Sequence, residues 1–163
     1  SYTDSTTFYN HALAENLATN WTVAVVPLPT GTTYNYLSHV SCSAAGACTA
    51  VGGRSGSTYG PLVVRSSGAG GAAWSLQTTP STAYNSFNSV SCFSASGCTA
   101  IDGYESDSWS GGTTWGTTLS PFAPSSNGAY PSMADVTCTA STSCTAVGSG
   151  YHWVTTPLAE LYS

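Results

Sequence analysis

Apolar and polar residues alternate along this chain in short runs, without helical periodicity. Val40 and Cys42 are separated by polar residues, and Cys48, Ala50 and Gly52 alternate in the same way. A period of two marks a half-buried strand, so each such pair of runs predicts a β-hairpin. Leu62-Val63-Val64-Arg65 predicts a third strand, and Trp74-Ser75-Leu76-Gln77 a fourth.

The pattern then recurs. Val40-Ser41-Cys42, five residues and Cys48-Thr49-Ala50-Val51-Gly52 form the first copy. Val90-Ser91-Cys92 with Cys98-Thr99-Ala100-Ile101-Asp102 is the second, and Val136-Thr137-Cys138 with Cys144-Thr145-Ala146-Val147-Gly148 the third. A tyrosine precedes the first cysteine of each copy by eight positions: Tyr34, Tyr84 and Tyr130. Upstream stands a tryptophan with a proline six residues on, as Trp21/Pro27, Trp74/Pro80 and Trp115/Pro121. The period is 50 and then 46 residues, counted between Cys42, Cys92 and Cys138. A repeat of that length without helical periodicity predicts propeller blades of about four short antiparallel strands. The expected divisions are 1–33 as an N-terminal arm and partial blade, 34–83 and 84–129 as two blades, and 130–163 as an incomplete third.

The six cysteines set the compartment. Zinc sites favour closer pairs with histidine nearby, and His11, His39 and His152 keep no such spacing. We therefore read Cys42/Cys48, Cys92/Cys98 and Cys138/Cys144 as three local disulfides, each pinning a hairpin beside its turn. Disulfides persist in oxidising surroundings, so the expected location is extracellular or at the cell surface, with any leader already removed.

Composition narrows the partners. Only 6% of residues are charged, against roughly a quarter in an ordinary domain, and both basic residues are arginines, Arg54 and Arg65. Two arginines cannot make the cationic stripe that nucleic acid or an anionic membrane requires. No apolar run approaches the roughly 20 residues of a membrane helix. In place of charge stand 27 serines and 24 threonines.

Segments such as Trp21-Thr22-Val23-Ala24-Val25-Val26-Pro27, Val-Ser-Cys and Cys-Thr-Ala-Val-Gly resemble secreted repeat proteins of actinobacteria and related bacteria. Those are similar in turn to the BNR-type propellers. The resemblance covers nearly the whole chain and implies architecture rather than activity. The Asp-box of sialidase blades survives only in outline. Ser67–Trp74 lacks its aspartate, and Gly111-Gly112-Thr113-Thr114-Trp115 keeps only its tail. A sialidase would also need an arginine cluster for the substrate carboxylate.

Leu13-Ala14-Glu15 matches Leu158-Ala159-Glu160, and both predict third strands. The expectation is therefore of open end blades, with the Trp21 strand completing the last blade of the same chain or of a neighbour. Completion between chains would cover an exposed edge, giving a ring or a filament.

Motifs for chemistry are sparse. No nucleophile elbow, zinc-protease helix or phosphate loop occurs. Asp102, Glu105 and Asp107 form one acidic cluster, read as a solvated loop rather than a calcium site. His39 and His152 read as ordinary surface or satisfied histidines, and the shared position of Glu15 and Glu160 as an edge charge. Trp21, Trp74 and Trp115, with Tyr34, Tyr84 and Tyr130, are expected to pack between blades. Tyr104, Trp109, Tyr151 and Trp153 lie outside that framework and are the candidates for a ligand or subunit contact. The expected function is non-enzymatic: a self-assembling structural protein with no metal or cofactor. The competing reading is a propeller lectin that binds glycans in clefts between blades.

Overall fold

The computed structural model describes residues 2–3, 10–17, 21–67, 73–80, 85–118, 130–152 and 154–162. Every regular element among them is a β-strand. The first repeat holds β5 (Thr32–Ala44), β6 (Ala47–Gly56), β7 (Gly60–Ser67) and β8 (Ala73–Leu76). The second holds β9 (Ser89–Ser94), β10 (Gly97–Ile101), β11 (Ser106–Trp109) and β12 (Gly116–Thr118). In the third are β13 (Tyr130–Ala140), β14 (Ser143–His152) and β15 (Val154–Tyr162). Each repeat is an antiparallel meander in sequence order. Ahead of them, β1 (Tyr2–Thr3) and β2 (Asn10–His11) add to the free edge of β5, with β2 parallel to it. A separate hairpin pairs β3 (Leu13–Leu17) with β4 (Trp21–Val25). The result is four sheets, antiparallel except for the β2–β5 pairing, none closed on itself among the described residues.

The predicted hairpins form around their cysteines. Cys42, Cys92 and Cys138 stand directly opposite Cys48, Cys98 and Cys144, with Cα atoms 4.0 Å apart in each pair, and all three disulfides are made. At the first tip, Gly46 adopts φ 75°, a left-handed conformation that costs a residue without Cβ nothing.

The first and third repeats share a device that the second lacks. Gly52 lies opposite Leu37 and Gly148 opposite Met133, each where the first strand of its sheet slips register. A Cβ on Gly52 would strike the carbonyl of Tyr36, and one on Gly148 the carbonyl of Ser132. Glycine lets the two backbones pass closely, and β6 and β14 each run for 10 residues. The second repeat has Asp102 at this position, and β10 stops at Ile101 after 5 residues. Asp102 instead turns the chain, its Oδ1 accepting from the N–H groups of Tyr104 (2.9 Å) and Glu105 (2.8 Å).

The core lies between sheets. Val51 and Val63 of the first sheet pack with Val90 and Ala100 of the second, and Ile101 of the second with Met133 and Val136 of the third. A third cluster joins Ala50 and Val64 of the first sheet to Ala12 and Val26 of the N-terminal segment.

Candidate assembly faces

The disulfides place equivalent residues in register, so the two contacts between successive sheets can be compared atom by atom. Ser41 and Ser91 immediately precede the first cysteine of their repeats. Ser41 Oγ accepts from the N–H of Cys92, and Ser91 Oγ from the N–H of Cys138, both at 2.9 Å. Thr49 Oγ1 lies 3.5 Å from Cys98 Sγ, and Thr99 Oγ1 lies 3.9 Å from Cys144 Sγ. The Phe87 N–H donates to Gly52 O at 3.1 Å, and the Met133 N–H to Gly103 O at 3.0 Å. Ser38 Oγ donates to Phe87 O, and Asn88 Nδ2 to Met133 O, both at 2.8 Å. The hydroxyl contacts of Ser41/Ser91 and Thr49/Thr99 therefore repeat from one sheet contact to the next, while Asn88 takes the place of Ser38 and Gly103 O that of Gly52 O.

The two ends of the series differ: on the first sheet the N-terminal segment covers Ala50 and Val64 but leaves Val40 open, and on the last sheet Val147 is open. Val40 is 55% exposed, whereas its equivalents Val90 and Val136 are 1% and 6% exposed. At the other end Val147 is 46% exposed, against 0% for Val51 and 1% for Ile101. Val40 and Val147 thus stand exposed at positions that, inside the series, meet a neighbouring sheet.

The second contact also holds a cavity of about 500 Å³. Its lining includes Ile101, Ser106, Val136, Cys144 and Ala146. These are the equivalents of Val51, Val63, Val90, Cys98 and Ala100, which at the first contact share one buried cluster with Trp115. Trp115 directly precedes β12, the fourth strand of its sheet, and is 2% exposed. The third sheet carries no fourth strand among the described residues.

Acidic groups recur at one register position. Ala50 lies opposite Val64, Ala100 opposite Asp107 and Ala146 opposite Glu160. In β3, Glu15 lies opposite Val23 as Val64 lies opposite Leu76. Asp107 is buried and its Oδ2 has no hydrogen-bond partner among the described residues. Burial, reinforced by the nearby charges of Asp102 and Glu105, pushes its carboxyl up to about 7. Glu160 lines the cavity, and burial raises its carboxyl above the ordinary range. The solvated-loop reading of the acidic cluster is therefore corrected. Glu105 is exposed, but Asp102 and Asp107 are buried, one as a turn former and the other as a strand residue facing a sheet contact. Among the described residues no group of three or more His, Cys, Asp and Glu is arranged to hold a metal.

His39, Ser89 and Asp135 occupy one repeat position, just before Val40, Val90 and Val136. Ser89 Oγ donates to Asp135 Oδ1, while His39 Nε2 lies 3.7 Å from that same oxygen. The Val90 N–H donates to His39 Nδ1 at 3.4 Å. The serine thus bonds the carboxylate rather than the imidazole, and the histidine is not placed to take its proton. This trio ties three sheets together.

The aromatic framework divides. Trp115 is buried as expected, and Trp74 is half-buried beside β3 in the N-terminal cluster. Trp21 does not pack as expected: it is 65% exposed, and among the described residues nothing covers the Trp21, Val23 and Val25 face of β4. Tyr34 is also exposed, in ring contact with Tyr36 at 5.7 Å. Tyr84 and Trp153 lie outside the described residues, and Tyr130 and Tyr151 are placed only as opposed backbone positions of β13 and β14. Tyr104 is exposed. Trp109 is buried beneath Arg65, whose guanidinium carbon lies 3.3 Å from the ring centroid. Arg65 Nη2 also donates to Ala95 O at 3.3 Å, and burial lowers the guanidinium pKa. These residues do not assemble into one aromatic platform within the described part of the chain.

No protein-family model matches the chain, and searches of curated proteins and of solved structures return no match. Three disulfides fit an oxidising, extracellular environment. Among the described residues no helix is long and apolar enough to cross a membrane.

Proposed function

We propose that this is a secreted, non-enzymatic structural protein whose repeats are propeller-type blades and whose copies associate head to tail into an extracellular ring or filament. One observation carries the reading: Val40 and Val147 are exposed at positions whose equivalents are sealed between sheets. The polar groups beside them are complementary. Thr137 and Thr145 on the last sheet match the donors and acceptors of Ser41/Ser91 and Thr49/Thr99. Cys42 and Cys48 on the first sheet match Cys92/Cys138 and Cys98/Cys144. Such a contact joins unlike faces, so it closes as a ring or continues as a filament according to its rotation. Sparse charge removes a common guard against edge-to-edge association.

Sedimentation velocity and negative-stain microscopy test this. The protein is expected to form assemblies that Val147→Lys abolishes while the monomer keeps its β-rich circular dichroism. A wild-type protein that stays monomeric at high micromolar concentration rejects the proposal, as does a Val147→Lys variant that assembles normally.

A further inference from the structure

Among the described residues β7, β11 and β15 are the third strands of their repeats, and β3, which pairs only with β4, shares the Leu-Ala-Glu sequence of β15. The likeness concerns one partner. In β3, Leu13, Ala14 and Glu15 lie opposite Val25, Ala24 and Val23 of β4, and Leu17 lies opposite Trp21. Strand β15 repeats Leu-Ala-Glu at Leu158, Ala159 and Glu160 in the same third-strand register, set by Gly148, Val147 and Ala146 of β14. The edge of β15 away from β14, where β8 lies on β7, has no partner among the described residues. Strand β4 thus has two equivalent seats, and it occupies one.

We infer that β4 is an exchange strand: in the assembly, β4 of one copy pairs with β15 of a second copy, and its Trp21 enters the cavity between that copy's second and third sheets. The inference rests on the head-to-tail reading and names the segment that completes the contact. By the β3 register, Val25 comes opposite Leu158, Ala24 opposite Ala159, Val23 opposite Glu160 and Trp21 opposite Tyr162. The cavity wall repeats the wall around Trp115, and Trp21 is the framework tryptophan that lacks such a wall. Exchange replaces one set of five backbone pairings by another of the same kind, so the strand pairing itself is nearly neutral. The driving force is burial of an indole and of the Val23 and Val25 side chains, now exposed. Swapping an identical element between copies is a low-cost route to association for this reason.

Two variants test it. Ala24→Cys combined with Ala159→Cys is expected to yield, on oxidation of assembled protein, a ladder of covalent oligomers linked between positions 24 and 159, as read by peptide mapping. Assemblies without that link overturn the exchange while leaving head-to-tail association standing, and a link found only within single chains assigns β4 to its own β15. Absence of any wild-type assembly removes both. Trp21→Ala guards against misfolding of the double variant, since the side chain is exposed in the free chain. It is expected to weaken association about 30-fold or more, as for a buried hot-spot tryptophan. Unchanged association overturns the exchange, including the case in which the cavity serves a small ligand.

Discussion

The contact between the first and second sheets and that between the second and third are built on the same positions and finished differently. At the first, Val51, Val63, Val90, Cys98 and Ala100 close around Trp115. At the second, the equivalents Ile101, Val136, Cys144 and Ala146 pack with Met133, yet together with Ser106 they also line an open cavity of about 500 Å³. Two substitutions in the wall also separate them, since Ile101 stands for Val51 and Ser106 for Val63. A sheet contact in this molecule is therefore not a property of the two inner strands that repeat most faithfully. It is completed by a residue beside the fourth strand, the element least uniformly present along the chain. The repeat specifies the wall, and the plug comes from elsewhere.

Making the first contact resemble the second should cost the most. Trp115→Ala removes a fully buried indole and opens a cavity there, and should lower stability by about 3–5 kcal/mol. Chemical denaturation followed by circular dichroism would measure it. A loss below about 1 kcal/mol would mean that Trp115 is not the element that closes this contact.

A smaller effect comes from the acidic position that both contacts share. Native Asp107, at about 7, holds a proton that the unfolded chain releases near 3.8. Over that window the native state binds more protons than the unfolded one, so stability declines as pH rises from about 4 through 7. Asp107→Asn should flatten the decline and raise stability at pH 8, by about 1–3 kcal/mol if the loss equals that of one unpaired buried polar group. Melting temperatures across this range for both proteins provide the check, and an equal slope in the variant would assign the titration to another group. Glu160, at the equivalent position on the more open contact, should give a weaker dependence.

The smallest change makes the second contact resemble the first. Ser106→Val supplies the apolar side chain that Val63 provides and should stabilise the fold by about 1 kcal/mol. Destabilisation would show that the Ser106 hydroxyl has a partner in the cavity worth more than the added burial.

Much of the fold was legible in the sequence because its signals are local. A period of two, paired cysteines and a fixed tyrosine and tryptophan spacing locate the hairpins, the disulfides and the third and fourth strands of the first repeat. The match between residues 13–15 and 158–160 suggests third strands; β15 is third in its sheet, whereas β3 pairs only with β4 among the described residues. Exposure of Trp21 was not legible, because its spacing equals that of Trp115 and only the presence of a neighbouring sheet distinguishes them. Burial of Asp107 escaped for a related reason. Within Asp102-Gly103-Tyr104-Glu105-Ser106-Asp107 the acids read as a polar loop. Only the pairing of Ala100 with Asp107 reveals that one of them holds the core position of Val64. The turn at Asp102 carried a usable signal: glycine stands at this position in both other repeats, and aspartate readily forms such turns.

Arginine placement has a consequence for resistance to proteolysis. Proteases that cleave after basic residues find two bonds in the whole sequence, following Arg54 and Arg65. Both lie inside strands, and both side chains are half-buried, the second held against an indole. Cleavage requires an extended segment to leave its sheet, and nicking therefore concentrates in exposed loops. No other position in the sequence offers such enzymes a basic residue. Trypsin-like digestion should act as a clock for global unfolding, reporting the opening of β6 and β7 rather than the trimming of loops.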